Sequence, residues 1–582
     1  MRYNGPAASL PVMRGLTGDR ILVLQDGQRA SDLAGSADDH STTIDPLAAQ
    51  RIEVVRGPAS LLYGTNALGG VVNVITSDIP TGVPSRVEGA VSLQTESAFP
   101  GASGSLRTVV PLGEQWALAL RGGAHSKGDV RIGNDPGLGN RLENTHHRAL
   151  TGSLGLGYFG ERVTGGVAFQ GYDLRHGVPM PPEDDEDIVL EGRKYTGVGR
   201  LDARLGSTVF PSLRLSGTAS DYAHDELEDG EVEQAFALRT QTMDLLLRQA
   251  GLGPFAEGAW GASGLFRQYA STGEEQLTAP ADSRAFGVFT FQELPIAAGG
   301  AALQLGARVD RYLISSRDDP EFGPGQDRGF TALSGSAGLT VPLAPGMSAS
   351  LHAARSFRAP TVEELFSDAF HIGTASYEIG DPMLAPEFSQ GIDATLRVHR
   401  SRLSADLSAY GNRINNFIYF ESGSDTLVGG AELPVLRYVQ DEATFVGAEG
   451  QVEWAVLPQL VLCTRGDLVR AERRDGTPVP FIPPARLGAS VRWDDGRFSA
   501  GAGVRHAFAQ ARVGGEDEPA TDAYTLLDLD AGVRLLAGGR THSPTLRADN
   551  LTNALYRDAA SRIKDFAPNP GRNVALLYRV FF

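Results

Sequence analysis

The chain has 582 residues, 71 of them glycine, one cysteine (Cys463), 41% hydrophobic residues and a formal net charge of −18. No apolar run approaches the ~18 residues of a membrane-spanning helix, the negative balance argues against nucleic acid as a partner and suits cations, and one cysteine excludes a disulfide framework or a cysteine-rich metal site. A transmembrane β-barrel escapes the hydropathy test, because lipid-facing and lumen-facing residues alternate along each strand.

In chain order, Ile21 to Leu24 form an apolar strand leading to the turn Asp26-Gly27. Ala30 to Asp45 is small, polar and loop-like, and it carries Asp39-His40. Ile52, Val54 and Val55 make a short apolar strand, stopped by Gly57-Pro58. Pro58 suits the first turn of a short helix over Ala59 to Tyr63, and Gly64 is placed to leave it through a left-handed conformation. Gly69-Gly70 then permit a reversal into Val71 to Ile75, a second buried strand. This αβ unit is expected to cover residues 1–80, with a Gly/Pro linker over 81–85.

From Arg86 the period changes to two. Val87, Gly89, Val91 and Leu93 fall on one face, with Arg86, Glu88, Ser92 and Gln94 on the other. The pattern recurs in Trp116 to Arg121, Ser350 to Ala354, Gly391 to His399, Leu403 to Tyr410 and Tyr524 to Leu535. In the last segment Val574, Leu576, Tyr578, Val580 and Phe582 share a face opposite Asn573 and Arg579. Roughly 500 residues at 9–11 per membrane strand, plus connections, accommodate about 22 antiparallel strands over 86–582. Three polar stretches are expected as long connections able to hold a ligand: Asp173 to Asp187 with His176, Tyr222 to Glu233 with His224, and Ser356 to Glu387 with His371 and Glu378. Gly-x-Ser-x-Gly, His-Glu-x-x-His and Gly-Lys-Ser/Thr motifs are all missing, so no enzyme is expected.

The wording of two stretches, MRGLTGDRILVLQDGQR from Met13 to Arg29 and IEVVRGPASLLYGTNALGGVVNVIT from Ile52 to Thr76, resembles the plug domain of TonB-dependent outer-membrane receptors. RSFRAPTVEELFSDAFHIGTASYEIGDPMLAPEFSQGID and the C-terminal ADNLTNALYRD and GRNVALLYRVFF are similar to barrel segments of the same family. The resemblance implies a 22-stranded barrel with the plug in its lumen, in a Gram-negative outer membrane. Its implied partners are the TonB–ExbB–ExbD complex, outer-membrane lipid and the barrel-assembly machinery. It also implies a signal peptide, a TonB-binding segment and an earlier plug portion ahead of Met13, so an N-terminal truncation or a misplaced start is expected. In the family, plug arginines pair with wall glutamates, which matches Arg14 and Arg56 to the candidates Glu387 and Glu449.

Among ligands, the DDHSTTIDPLAAQ approach and the FHIGTASYEIGDP loop look most like the zinc-uptake branch, in which a plug Asp-His pair and barrel-loop residues bind Zn²⁺. Asp39 and His40 would supply two ligands, and His371, His176 or Glu378 would close the site. Haem or a ferric siderophore is the alternative, since Phe357-Arg-Ala-Pro360, His371 and Asp381-Pro-Met-Leu384 imitate the order found in haem receptors. A passive porin or an adhesin is the alternative of another class, and neither needs a plug.

Overall fold

The computed structural model describes residues 2–37, 39–57, 63–182, 187–273, 276–296, 299–371, 376–423, 426–428, 431–515 and 518–582. Pro58, the helix expected over Ala59 to Tyr63 up to its last residue, Asp38 and the acidic run Glu183 to Glu186 lie outside them.

A closed antiparallel barrel of 22 strands begins at Glu88–Glu96 and closes when Asn573–Phe581 pairs with that first strand, Arg579 opposite Ser92. The expected alternation sets the wall. Leu150 and Leu154 project outward while Thr151 and Ser153, between them, hydrogen-bond the plug. Connections alternate between tight turns at one end, such as Pro345-Gly346 and Ser401-Arg402, and long loops at the other.

Inside the lumen the plug forms a four-stranded sheet. Ile21–Gln25 runs parallel to Gly70–Ile75, with Gln28–Arg29 and Arg51–Arg56 on the two edges. Gly64 has φ +80 and Gly57 φ +82, the left-handed region that glycine adopts without steric cost. At Gly70 a side chain would place its Cβ 2.2 Å from the Val55 carbonyl oxygen, so only glycine allows that strand pairing. The expectation that both apolar plug strands are buried fails for the first: Ile52 is 56% exposed, because Arg51–Arg56 is an edge strand with no neighbour on its outer side among the described residues.

Charge fixes the plug to the wall. Arg14 meets Glu449 at 2.8 Å and also Asp393, and Arg56 reaches Glu449 at 3.1 Å. Glu387, matched in sequence to the plug arginines, is taken instead by Arg20 at 2.6 Å and by the barrel's own Arg358 at 2.7 Å. On the far side Asp78 accepts from Arg121 at 2.8 Å and from Gln170 at 2.9 Å.

Candidate metal centre

Four side chains from three separate parts of the chain meet at the long-loop end of the lumen. Asp39 and His40 come from the plug loop, Glu226 from the strand Ser212–Glu228, and His371 from the loop hairpin Asp368–His371 and Ser376–Ile379. One ligand atom from each lies within 4.8 Å of the others, and all four residues are buried.

Each imidazole is oriented by a bond through its far nitrogen. His40 Nδ1 lies 3.2 Å from the Leu33 carbonyl oxygen, which turns Nε2 to within 3.1 Å of Glu226. His371 Nδ1 lies 3.1 Å from Glu378, and its Nε2 faces Glu226 at 4.0 Å. Such outer bonds set the tautomer and aim of a metal-binding histidine. His224 flanks the cluster, accepting from the Tyr222 hydroxyl at 2.8 Å and meeting Glu226 at 3.2 Å, with its ring stacked on Phe236.

The loop that delivers His371 is itself braced. Thr361 caps the short helix Val362–Phe366 in a capping box with Glu364, which also takes Arg358 at 2.8 Å. Tyr438 donates to Glu378 at 3.3 Å, holding the carboxylate behind His371.

Electrostatically the pocket is acid-rich. Burial opposes charge on His371, yet Glu378, with Asp39 and Glu226 beyond it, pushes its pKa up to about 10. At His40 burial again opposes charge, and Asp39 with Glu226 overcomes it, so the pKa lies above the ordinary imidazole value. Both oxygens of Asp39 and one of Glu226 are buried without a hydrogen-bond partner among the described residues. Buried anionic oxygens of this kind are costly unless something positive joins them.

Against the sequence expectation, Asp39, His40 and His371 do converge, whereas Glu378 and His176 do not join the four. Glu378 stands behind His371, and His176 bonds the Asp39 carbonyl oxygen at 3.2 Å through Nε2. Glu226 falls in the stretch Tyr222 to Glu233 that the sequence marks as able to hold a ligand, but it is not among the residues matched to the metal. The acidic run Tyr222 to Glu233 is two strand ends, Ser212–Glu228 and Glu231–Leu252, not a loop. These strands exceed the ~9–11 residues that a membrane needs, so their polar ends continue the wall above it. The usable signal was Asp229-Gly230, both left-handed at φ 50 and 88, the pair favoured in two-residue hairpins. With that turn in place, Tyr222, His224 and Glu226 share one face by simple alternation.

A family model described as TonB dependent receptor-like, beta-barrel matches residues 207–554, and one described as TonB-dependent Receptor Plug Domain matches residues 2–71. The chain belongs to the TonB-dependent receptors. A curated hemin receptor from Yersinia pestis is 49% identical to this receptor over 67 residues, 12% of this chain and 10% of that one. The chain thus spans about a tenth of that relative's length in the match (10%). Among solved structures, the copper transporter OprC superposes with a TM-score of 0.84 at 16% identity, covering 100% of this chain and 93% of that one. The FrpB iron transporter from Neisseria meningitidis gives 0.79 at 13%, covering 100% and 95%. At those identities the likeness establishes the fold.

Proposed function

We propose that this receptor captures a divalent first-row cation, zinc above others, at Asp39, His40, Glu226 and His371 and imports it across an outer membrane. The observation that carries this is the convergence of two imidazoles and two carboxylates within 4.8 Å. Zinc takes four nitrogen or oxygen ligands tetrahedrally at ~2.0–2.2 Å, and a small contraction of this cluster would supply that shell. No thiolate or thioether is among the four, which disfavours a soft Cu(I) cargo. The role is binding and transport rather than catalysis. Energy would come through TonB with ExbB–ExbD, and the barrel-assembly machinery would insert the wall into lipid.

The second reading is haem, supported by the partial match to a hemin receptor. Geometry weighs against it. The His40 and His371 rings have centroids 5.9 Å apart, with Glu226 against both, and Phe236 packs 5.6 Å from His40. That space suits a bare ion, and a flat macrocycle would have to displace the plug loop.

The test is calorimetric titration of the purified receptor with zinc and, separately, with hemin. Zinc binding at one equivalent that is abolished in Asp39→Asn and His371→Ala is expected. Hemin binding that both variants lose, with no zinc binding in the parent protein, would replace the zinc assignment with haem.

A further inference from the structure

Three imidazoles, not two, surround Glu226. His40 and His224 both aim Nε2 at its Oε1, at 3.1 and 3.2 Å, and His371 Nε2 stands 4.0 Å from the same oxygen. The third ring comes from Glu226's own strand. Tyr222, His224 and Glu226 alternate along Ser212–Glu228, and all three are buried on its inner face.

The groups behind the rings set them apart. Behind His40 and His371 stand the Leu33 carbonyl oxygen and the Glu378 carboxylate. Both only accept, so Nδ1 carries a hydrogen and Nε2 can offer its lone pair to an ion. His224 is wired the other way. Its Nε2 faces the acceptor, Glu226, and must carry the hydrogen, while Nδ1 is taken by the Tyr222 hydroxyl at 2.8 Å. Neither nitrogen of His224 keeps a lone pair for an ion, and it stands outside the four metal-holding groups.

Packing holds that inward N–H in place. Phe236 lies directly opposite His224 on the neighbouring strand with its ring stacked at 4.6 Å, and the His40 ring meets His224 edge-on at 4.5 Å. Glu226 Oε2 is buried with no hydrogen-bond partner among the described residues, so the bonds to Oε1 decide how the carboxylate is turned. An ion on His40 uses the Nε2 lone pair, and that nitrogen no longer donates to Glu226. His224 then remains as the donor on Oε1.

We propose that His224 is a positioning residue that limits Glu226 to one-oxygen ligation and so selects a four-coordinate cation. The role rests on the cation reading given above. Two imidazole nitrogens with one oxygen each from Asp39 and Glu226 close the shell at four, the number that zinc takes. A carboxylate free to turn would present both oxygens and raise that number, as oxygen-seeking cations such as Mn²⁺ and Ca²⁺ prefer.

The experiment is titration of the whole receptor with Co²⁺ alone, whose visible absorption is strong in four-coordinate sites and weak in six-coordinate ones, followed by displacement with Zn²⁺. Heat-dependent gel migration checks the barrel in each variant. The parent protein should show the strong band. His224→Phe keeps a ring against Phe236 but removes the N–H; it should lose most of the band per bound ion and bind Zn²⁺ ~10–100-fold more weakly. His224→Gln, which returns an N–H near the place of Nε2, should recover the band. A His224→Phe band as strong as the parent's overturns the proposal even if zinc weakens, because a merely structural role lowers affinity without changing coordination number. A His224→Gln band no stronger than that of His224→Phe overturns it as well. If His224→Phe fails to fold, Tyr222→Phe decides: by freeing Nδ1 it should weaken the band, and an unchanged band overturns the proposal. A weak band in the parent overturns selection by His224 and leaves cation capture standing. A parent that binds neither Co²⁺ nor Zn²⁺ overturns the cation reading, and the role of His224 with it.

Discussion

Two seams join the plug to the barrel wall, and they treat buried charge in opposite ways. In the first, every carboxylate faces a guanidinium: Glu449 with Arg14 at 2.8 Å, Glu387 with Arg20 at 2.6 Å and Arg358 at 2.7 Å. The arginines also lie over aromatic rings, Arg14 over Tyr410 and Arg20 over Phe417, each at 4.1 Å. In the second, Asp39, Glu226 and Glu378 gather around imidazoles, and oxygens of Asp39 and Glu226 lack hydrogen-bond partners among the described residues. Arginine is charged at every accessible pH, so the first seam is permanently neutralised and acts as a latch. An imidazole, unlike a guanidinium, can give up its proton to become a neutral nitrogen ligand, so the second has the chemistry to exchange a proton for a cation. The same plug is thus locked on one side and exchangeable on the other.

The comparison breaks most visibly at Glu387. Glu387→Gln leaves Arg358, which is 1% exposed, without its closest anion and weakens the hold on Arg20. Loss of one partner from a buried pair costs ~3–5 kcal/mol. Limited proteolysis across a urea series should show the plug released at clearly lower denaturant, while zinc affinity stays near that of the parent protein.

At the other seam, Glu226→Gln should weaken zinc by at least ~100-fold, beyond the 10–100-fold typical of changes outside the ligand set. The plug should remain latched. A competition assay with a chromophoric chelator measures the first outcome, and the protease series checks the second.

Titration sharpens the contrast. His371 is raised to about 10, so its imidazole holds a proton at neutral pH when no metal is bound, and Asp39 and Glu226 raise His40 against its burial as well. A cation must displace that proton, so zinc affinity should rise by ~10-fold per pH unit for each proton released, up to the His371 value. The metal-free fold responds with the opposite sign. A histidine raised in the folded state stabilises fully below its unfolded value of ~6.5, and this contribution fades as pH rises towards about 10. Zinc competition and urea melts from pH 6 to 9 check the two trends; Arg–Glu contacts should show neither.

The smallest effect is expected at Arg56, which is 56% exposed where it meets Glu449. Arg56→Ala should cost under ~1 kcal/mol, because solvent screens the pair and Arg14 still holds the same carboxylate. The same urea midpoint measures it.

Much of this architecture was legible in the residues themselves. Alternation is local, so Leu150, Thr151, Ser153 and Leu154 declare their faces without knowledge of any neighbour. Glycine's backbone freedom is equally local, and Gly57 and Gly64 adopt the left-handed conformations that their turns demand. Asp39, His40 and His371 stood out by chemical type and by resemblance, and the fold brings them together. What only the tertiary structure decided is which groups meet across the lumen. Glu226 faces His40 although 186 positions separate them, and Arg20 rather than Arg14 reaches Glu387 across 367. Those meetings depend on barrel closure, on strand register and on the rotation of the plug within the wall. Each is set by the sum of many weak contacts along the whole chain, and no short stretch of sequence records it.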